Sequence, residues 1–409
     1  MKIAFFVDAF PVATETFVAL QIAGLVARGH DVTIYSMGRH DVEPHAAIVE
    51  HKLLEKTVYL NDLPKAPLPR LMAAARVALG ALLRNSAGTL RAINGIRRSR
   101  QPGADKGFNF LDSLFITLPQ LGQPKFDVVH AQFGTLGPRV LQLNNATDIA
   151  QHVVTSFRGH DATQKQLGPT FYANLFTQGS LFLPVSEALQ DIIVELGCDR
   201  NKTAVLHSGI DLSTYQYLQT RNLPQRTQIL TVARFKEMKG LEYAIECMGL
   251  LRDRGYEFDY RIIGDGPLRP DLEAQIERLN LGDTVTLMGW QENQVVRDLL
   301  ATTHVFLTPS VTASNGETEG IPNAVKEAMA VGVPVVSTFH GGIPELVEDG
   351  VSGHLVAERD AQGLADKIAQ VIDNPAACET MRVAARAHIE KEYEIEAMTD
   401  RLLHLYSNL

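Results

Sequence analysis

Two successive series of short apolar segments, each alternating with helix-like segments, constrain the fold of this chain more than any other feature. The first series opens with a strand-like run at residues 2–7, a helical periodicity at 16–28 and a second strand-like run at 31–36. Short apolar strands separated by helical patterns are typical of parallel sheets with helices on both faces. The opening of the chain therefore predicts a βαβ unit.

The alternation continues, stops at a polar stretch and then restarts. Further strands are predicted at 126–130, 152–156, 181–184 and 203–206 in the first series, and at 228–232, 258–263, 284–287, 304–307 and 334–337 in the second. The chain has 409 residues, a length that exceeds what a single hydrophobic core usually organises, and 45% of them are hydrophobic. We predict an α/β fold with two doubly wound, Rossmann-like domains, 1–207 and 227–389, joined by a linker at 208–226. Because such sheets bind ligands beyond the carboxyl ends of their strands, the cleft between the domains is the predicted site.

The composition argues against several classes of protein. The formal net charge of -9 disfavours nucleic-acid binding, which needs a positive surface. The three cysteines, Cys198, Cys247 and Cys378, are too far apart in sequence to indicate a zinc knuckle or a disulfide framework. The apolar run that ends at Asp8 is too short for a secretory signal, and the longest run, 71–83, is too short to span a bilayer. We therefore expect a cytoplasmic protein.

The most informative motif is the segment 318–330, TEGIPNAVKEAMA, which follows the predicted strand 304–307 and a polar loop. It indicates the start of a helix, whose free N–H groups and dipole can hold a diphosphate. Glu319 and Glu327 flank seven residues and are predicted to project toward roughly one side of that helix. Two surface glutamates on a solvated helix are the alternative interpretation. Within this segment, the candidate donor-binding residues besides the glutamates are Gly320, Ile321, Pro322 and Asn323.

This motif, together with VPVV at 333–336 and GGIPE at 341–345, resembles the family 4 glycosyltransferases. The resemblance spans nearly the whole chain, from Phe10-Pro11 and Glu15-Thr16-Phe17 onward, and is strongest in the second half and toward exopolysaccharide branches of the colanic-acid type. It implies a GT-B fold, in which two Rossmann-like domains face each other across a cleft. It also implies that a last helix, at about 390–409, crosses back to the first domain.

The resemblance further implies a retaining transferase that moves a hexose from a nucleoside-diphosphate sugar, expected to be a UDP-sugar. The implied acceptor is a saccharide or a lipid-linked saccharide, and the implied role is cell-surface polysaccharide or glycolipid synthesis. By the same resemblance, Glu319 lies beside the donor sugar and Glu327 binds the ribose hydroxyls. The N-terminal domain is then the acceptor domain and the C-terminal domain the donor domain.

The segment 232–240 places two cations directly after the first strand of the second series. Arg234 and Lys239 are predicted to clamp the donor diphosphate, because fixed cations in a dry cleft stabilise the charge that builds up on a leaving phosphate. Helix-terminal surface charge is the alternative. Since no convincing D-x-D metal motif is present, we expect neither a metal nor another cofactor. Gly289 and Trp290, after a later strand, are predicted to border the base of the donor.

The first domain supplies the candidate acceptor side. Arg158 stands where many relatives carry a histidine that touches the sugar, so Arg158 and His160 are assigned to catalysis and Asp161 to the acceptor side; a turn-capping role is the alternative. His130 closes a strand and is also placed on the acceptor side, although a lone histidine is more often structural. Glu15 is predicted to meet the acceptor hydroxyl. Thr16 is placed beside it, or else Thr14 or Thr16 caps the next helix.

Residues 65–100 form a basic block without an acidic residue. The apolar positions between its arginines recur with a helical period. Such a segment can lie on anionic lipid headgroups, which would give the protein a peripheral contact with the inner face of the plasma membrane; packed surface helices are the alternative. The basic residues are Lys65, Arg70, Arg76, Arg84, Arg91, Arg97, Arg98 and Arg100.

Two other functions are compatible with this pattern. A nucleotide-sugar epimerase or phosphorylase can share the architecture, because a fold alone does not determine the reaction. A non-catalytic two-domain protein that clamps a sugar is the other alternative. A nicotinamide dehydrogenase is disfavoured, since Arg269 occupies the third-glycine position of the motif that begins at Gly264.

Overall fold

Two six-stranded parallel sheets form the framework of the protein. The computed structural model describes residues 1–64, 66–99, 107–164, 167–168, 170–218 and 226–409. In the first sheet the strand order is β3-β2-β1-β4-β5-β6. Its strands are β1 (Lys2–Ala9), β2 (Asp31–Gly38), β3 (Thr57–Tyr59), β4 (Phe126–Ala131), β5 (Ala150–Phe157) and β6 (Leu181–Pro184). This sheet defines the N-terminal domain.

Helices cover both faces of the first sheet. They are α1 (Thr16–Ala27), α2 (Ala46–Glu50), α3 (Pro67–Arg84), α4 (Ser86–Ser99), α5 (Phe110–Thr117), α6 (Gly137–Thr147), α7 (His160–Thr163), α8 (Ala173–Gln178) and α9 (Glu187–Glu195). Successive residues of β1 enter different core clusters, with Phe6 in one and Phe5 in the other. Because side chains alternate along a strand, the sheet is buried on both faces, as in doubly wound folds.

The second sheet repeats the arrangement with the order β12-β11-β10-β7-β8-β9 and defines the C-terminal domain. Its strands are β7 (Thr227–Val232), β8 (Phe258–Ile263), β9 (Val285–Gly289), β10 (Val305–Thr308), β11 (Val335–Thr338) and β12 (His354–Val356). Its first helices are α10 (Leu241–Asp253), α11 (Arg269–Arg278), α12 (Asn293–Thr302), α13 (Asn323–Ala330), α14 (Ile343–Leu346), α15 (Ala361–Asp373) and α16 (Pro375–Glu392). In each sheet the order reverses beside a central strand, which is where doubly wound folds bind ligands.

The last helix, α17 (Ile395–Ser407), returns to the N-terminal domain and packs against α1. Its residues Met398, Leu402 and Tyr406 belong to a core cluster of the first sheet. Arg28, directly after α1, also forms ion pairs of 2.8 Å with two acidic residues of α17. The C-terminal end of the chain therefore helps to bury one face of the first sheet.

The predicted strand pattern is largely confirmed, with two differences. The predicted strand at 203–206 is wrong: Ala204 and Leu206 donate single hydrogen bonds to β6, and only an isolated bridge links Phe182 and Thr203. The edge strands β3 and β12 were not predicted, because three-residue strands are too short to show a period. The structure describes 208–218 of the predicted linker, while 219–225 lie outside the described residues. No helix within the described ranges has the length and apolar character needed to cross a bilayer.

Candidate active site

The loop that carries Glu319 leads from β10 into α13 at the carboxyl edge of the second sheet. The helix begins at Asn323, with Pro322 in the capping position, three residues later than the predicted start at Gly320. Glu319 therefore lies in an irregular segment, and the expectation that Glu319 and Glu327 project from one helix is wrong. Pro322 ends the irregular segment because its fixed φ suits the residue that precedes a helix.

Lys239 reaches Glu319 from the neighbouring strand. Lys239 follows β7, which pairs with β10, so both side chains start from the same edge of the sheet. Their ammonium and carboxylate groups form an ion pair whose side chains are only 15% and 11% exposed. Gly240 permits this approach: its φ is +59°, and a Cβ there would lie 1.9 Å from the carbonyl oxygen of Pro309. Two predicted catalytic residues are thus brought together in a sparsely hydrated site.

Arg234 lies on the same loop and is exposed. Within the described ranges it makes no ion pair, so its charge is free to meet an anion. The loop rests on the segment that begins at Gly264, because the backbone N–H of Phe235 donates to Asp265 at 2.9 Å. Gly264 has a φ of +135°, and a Cβ there would lie 1.9 Å from the carbonyl oxygen of Ala233. The glycines of this segment therefore support the Arg234 loop.

Gly289 and Trp290 lie beside that support. Gly289 ends β9 and accepts a 2.9 Å hydrogen bond from the backbone of Gly264. Trp290 is 59% exposed, which is unusual for the only tryptophan of the chain. An exposed aromatic face at the end of a strand can stack on a base or a sugar. The geometry is compatible with the prediction that Gly289 and Trp290 border the base of the donor nucleotide, and this role stays a prediction.

Glu327 lies on α13 and faces the linker between the domains. Its carboxylate and the hydroxyl of Tyr215 are hydrogen-bond partners, and Arg297 contributes a favourable charge. Burial nonetheless raises the pKa of Glu327 above its ordinary value. Gly320 and Ile321 lie between the two glutamates, with Gly320 buried and Ile321 half-buried against the core of the second sheet. Ribose binding by Glu327 stays a prediction.

His340 supports Glu319 from the turn that follows β11, and sequence reasoning missed it. Its Nε2 accepts the backbone N–H of Glu319 at 3.0 Å, so its Nδ1 carries the proton that is shared with Glu358 Oε1 at 2.6 Å. Glu358 also accepts from the backbone and side chain of Thr312, at 2.8 and 3.0 Å. The only signal in the sequence is a histidine directly before GGIPE. The imidazole fixes the backbone at Glu319.

The two domains meet at Gly159 and Gly320. A Cβ on Gly320 would lie 2.4 Å from the carbonyl oxygen of Arg158, and a Cβ on Gly159 would lie 2.8 Å from the backbone nitrogen of Gly320. The backbone N–H of Thr318 donates to Thr163 Oγ1 at 3.3 Å. Glycine at both positions lets the Glu319 loop pack against the end of β5. The domains are therefore in direct contact beside the Lys239–Glu319 pair.

Polar groups of the N-terminal domain face this contact. Burial and the carboxylate of Asp8 raise the pKa of Glu15 to about 7, and the charges of Arg158 and Arg234 oppose that rise. Because Arg234 belongs to the other domain, its field reaches Glu15 across the cleft. His160 is exposed at the start of α7. Asp8, which sequence reasoning also missed, lies near the end of β1, where burial raises its pKa and the charges of Arg139 and His160 oppose that rise. Its only signal in the sequence is a charge at the end of an apolar run.

The predicted role of Arg158 is corrected by its contacts. Its two terminal nitrogens donate to Ser208 Oγ at 3.0 Å and to Gln132 Oε1 at 2.7 Å, and its guanidinium lies 4.7 Å from the ring centre of Phe17. Burial lowers the pKa of Arg158 to about 10. The side chain is thus directed at the linker and α1, and these contacts do not support the assignment of Arg158 to catalysis.

Asp161 and His130 are also placed away from the acceptor side. Asp161 is fully buried, and its carboxylate accepts the backbone N–H groups of Gly134, Arg158 and Gly159 at 2.7 to 2.9 Å. It therefore shapes the loop instead of contacting a ligand. His130 is fully buried, with its ring nitrogens bonded to Tyr406 at 2.6 Å and Ser156 at 2.8 Å. Burial lowers its pKa well below the ordinary value.

Thr16 opens α1, for which Glu15 is the capping residue, and no side chain caps this helix. The alternative that Thr14 or Thr16 caps it is therefore wrong. Thr16 stays half-buried next to Glu15. Both residues lie at the amino end of a helix that points toward the domain contact, so Thr16 remains a candidate on the acceptor side.

Comparison with known proteins identifies the family to which the chain belongs. The family models "Glycosyl transferase 4-like domain" and "Glycosyl transferases group 1" match residues 13–209 and 219–388. The colanic acid biosynthesis glycosyltransferase WcaL of Salmonella typhimurium is 35% identical over 416 aligned residues, which cover 100% of both proteins. The chain belongs to the family 4 glycosyltransferases.

Other relatives of this glycosyltransferase agree. The amylovoran biosynthesis glycosyltransferase AmsK of Erwinia amylovora is 35% identical over 96% of both chains. Among solved structures, Anabaena HepE in complex with UDP and glucose matches with a TM-score of 0.72 at 19% identity, covering 100% of both chains. Sucrose-phosphate synthase of Thermosynechococcus elongatus matches with a TM-score of 0.73 at 18% identity, over 100% of this chain and 98% of the other. At these identities the likeness shows the fold, and the predicted GT-B architecture is confirmed.

The glycosyltransferase also buries a lysine next to Glu327. Lys326 is 1% exposed, donates to the carbonyl oxygen of Ser208 in the linker, and lies 5.8 Å from the ring centre of Tyr393. Burial, with a smaller contribution from Arg158, lowers the pKa of Lys326 from 10.5 to about 7. This amine therefore ties α13 to the linker, and its pKa lies close to neutral pH.

A pH-dependent stability follows from Lys326. Between about pH 7 and its ordinary pKa, the unfolded chain binds a proton that the folded enzyme has released, so stability rises with pH in this window. In Lys326→Met this contribution disappears. We expect the free energy of unfolding of the wild type, relative to the variant, to increase from about pH 7 to about pH 9 in urea titrations. Parallel curves for the two proteins would contradict the shift.

No group of three or more histidine, cysteine or carboxylate side chains within the described ranges is arranged to hold a metal ion. Arg234 and Lys239 contribute positive charge to this site from the C-terminal domain.

Proposed function

We propose that this chain is a retaining hexosyltransferase that moves a sugar from a nucleoside-diphosphate sugar, preferably a UDP-sugar, to a lipid-linked saccharide in exopolysaccharide synthesis. The observation that carries the proposal is the enclosed Lys239–Glu319 pair at the carboxyl edge of the second sheet, with the free cation of Arg234 beside it. The names of two relatives, which describe them as glycosyltransferases of colanic acid and of amylovoran biosynthesis, support the exopolysaccharide role.

In this proposal the donor diphosphate lies against Arg234 and Lys239, and the sugar lies beside Glu319. The bond from the anomeric carbon to the diphosphate breaks while the bond to the acceptor oxygen forms on the same face, and the proton of the acceptor hydroxyl leaves with the diphosphate. Fixed cations stabilise the departing charge without reorganisation of solvent, which supports a reaction without a metal ion. Glu15 and His160 orient the acceptor from the N-terminal domain.

The donor and the metal requirement are tested together. Release of nucleoside diphosphate is measured with a panel of UDP-, GDP- and TDP-sugars, in the presence of excess EDTA or of magnesium. We expect one donor to be used and the rate to survive chelation. Loss of activity in EDTA with recovery by magnesium would overturn metal independence. Conversion of the donor into an isomeric nucleotide sugar, without net release of nucleoside diphosphate, would favour the epimerase alternative. Formation of a sugar phosphate from a saccharide and inorganic phosphate would favour the phosphorylase alternative.

The surface of α3 supports a membrane-bound acceptor. Val77 and Ala81 of this helix face a small core with α4 and α5, whereas larger side chains point away from the protein. We call these outward residues the leucine stripe: Leu68, Leu71, Met72, Leu79 and Leu83, which are 54 to 81% exposed. Their spacing of three, four and seven residues places them along one face of the helix. A soluble helix normally turns such side chains inward.

Positive charge surrounds the leucine stripe. Arg76 and Arg84 on α3 and Arg91, Arg97 and Arg98 on α4 are exposed, whereas Arg70 is half-buried and paired with Asp112 at 2.5 Å. Lys65 and Arg100, which belong to the predicted basic block, lie outside the described residues. Apolar side chains among arginines match the boundary between acyl chains and anionic headgroups, where each cation contributes about 1 kcal/mol. We propose that the stripe rests on the inner face of the plasma membrane.

The membrane contact predicts a clear effect of two leucines. We expect Leu79→Gln combined with Leu83→Gln to weaken partition onto vesicles of anionic phospholipid about tenfold or more, because each buried leucine contributes about 1.5–3 kcal/mol. Val383→Gln is the matched control, since Val383 is 53% exposed on α16 of the other domain. Equal sedimentation with anionic and zwitterionic vesicles, or dimerisation through the stripe in ultracentrifugation, would contradict the proposal.

A further inference from the structure

The segment 340–345 lies between the two domains and touches both. It follows β11, contains the GGIPE sequence and continues into α14. In the sequence, GGIPE served only as one of the motifs that resemble the family, and no role was predicted for it. Its contacts divide into one set with the Glu319 loop and one set with the N-terminal domain.

The first set of contacts holds the Glu319 loop. His340 Nε2 accepts the backbone N–H of Glu319 at 3.0 Å, and the backbone N–H of Gly342 donates to the carbonyl oxygen of Gly320 at 3.0 Å. A Cβ on Gly341, whose φ is +53°, would lie 2.3 Å from the carbonyl oxygen of Glu319. The segment therefore fits against the loop without space for a side chain.

The second set of contacts crosses to the N-terminal domain through Glu345. Its Oε2 accepts the backbone N–H of Glu187 at 2.8 Å, and its Oε1 accepts that of Ala188 at 2.9 Å. These are the first two residues of α9, whose N–H groups and dipole favour a carboxylate. The helix already has a cap of its own, because Ser186 Oγ accepts from Leu189 at 3.1 Å. Glu345 is therefore a second capping group for α9, and it comes from the C-terminal domain.

The two sets of contacts are connected through a few bonds of a short, glycine-containing segment. Separation of the domains removes both N–H partners of Glu345 at once, so these two charge-assisted hydrogen bonds favour the closed arrangement. The pKa of Glu345 is raised by burial, and the two N–H bonds act against that rise, which agrees with a group that depends on these partners. A displacement of α9 is thus passed to the backbone at Glu319.

We propose that Glu345 is a positioning residue that couples closure of the two domains to the placement of the Glu319 loop. The inference rests on the proposed function for its activity readout only. Glu345 binds α9 when the cleft is closed, and the rigid segment 340–345 then sets Glu319 and Gly320 at the donor. Without this contact the domains open more often and the loop loses its support.

The test compares Glu345→Gln and Glu345→Asp with the wild type. In the Gln variant an NH₂ donor faces one of the N–H donors of α9, so one hydrogen bond is lost, whereas Asp keeps the charge on a shorter side chain. We expect kcat to fall at least tenfold in Glu345→Gln, with partial recovery in Glu345→Asp and with the dissociation constant of UDP changed less than threefold. Domain separation is measured by pulsed electron paramagnetic resonance between spin labels at the exposed residues Glu195 and Glu277.

Ser186→Ala is the matched control, because it removes the internal cap of the same helix and leaves Glu345 in place. We expect this variant to lower the melting temperature without changing the distance distribution or kcat. The Glu345→Gln distribution should shift to longer distances. Wild-type distances in Glu345→Gln, or equal losses of kcat in Ser186→Ala and Glu345→Gln, would overturn the coupling.

Failure of the proposed function has a different signature. If the wild type uses no nucleotide sugar, the transferase proposal fails, while the distance distributions of the same variants still decide whether Glu345 holds the domains together. If the wild type is active and both readouts of Glu345→Gln match it, the inference about Glu345 fails alone.

Discussion

Replacement of Lys239 by alanine is expected to lower kcat about 10²–10³-fold, the usual effect of removing one preorganised partner of a developing negative charge. Lys239 lies on the loop that follows β7, is 15% exposed and forms the enclosed ion pair with Glu319. Its ammonium group can stabilise the departing diphosphate and hold Glu319 in place. The rate of nucleoside diphosphate release from the preferred donor at saturation measures the effect.

A matched control and a double variant make this prediction specific. Lys236→Ala removes a positive charge from the same loop, three residues earlier, and should change kcat less than threefold. Because Lys239 and Glu319 act as one unit, Lys239→Ala combined with Glu319→Gln should lose little more than the worse single variant. Fully multiplicative losses would show that the two residues act independently, and equal rates for Lys239→Ala and Lys236→Ala would remove Lys239 from the mechanism.

Replacement of Gly320 by alanine is expected to reduce kcat/KM about 100-fold while the protein stays folded. The added Cβ would lie 2.4 Å from the carbonyl oxygen of Arg158 and 2.7 Å from Val185 Cγ2, so the Glu319 loop and the end of β5 must separate. A displacement of about 1 Å in a catalytic group can cost this much. Steady-state kinetics measure the loss, and thermal unfolding shows whether the fold is retained.

Gly282→Ala is the control for Gly320→Ala, because a Cβ at Gly282 meets no atom within 4 Å. The control variant should have wild-type kinetics and a similar melting temperature. Wild-type activity in Gly320→Ala would mean that the contact between the two domains has no part in the reaction. Unfolding of Gly320→Ala would assign the glycine to stability instead.

The sequence placed Lys239 and Glu319 in the same cleft for a physical reason, although it did not predict their ion pair. Both residues follow strands of one parallel sheet, and the carboxyl ends of such strands meet at one edge. What it could not supply was the beginning of α13, since Pro322 fits a first helical turn and a capping position almost equally well. The support of Glu319 by His340 depends on how two loops fold together, and no spacing in the sequence indicates it.

The N-terminal site residues were harder to predict. His130 and Arg158 both close strands, which made each a candidate, but the structure directs one into the core and the other to the linker. A single sequence gives no sign of which way such a side chain turns. The helical period of α3 was evident in the sequence, but the face of α3 that packs against the protein was not. The small Ala74 and Ala81 are buried and the large leucines are exposed, which is the reverse of the usual arrangement.

The central claim is transfer of a sugar to a lipid-linked acceptor in the cleft between the domains, and transfer can be measured directly. The intact chain is incubated with a radiolabelled nucleotide sugar and a lipid extract that contains lipid-linked saccharides, and label in the organic phase is counted for the wild type and for Lys239→Ala. We predict acceptor-dependent labelling by the wild type that falls about 10²-fold or more in the variant, in a product whose anomeric configuration matches the donor. Nucleotide-sugar binding without any labelled product, under conditions where the wild type is folded and bound to membranes, would contradict the account.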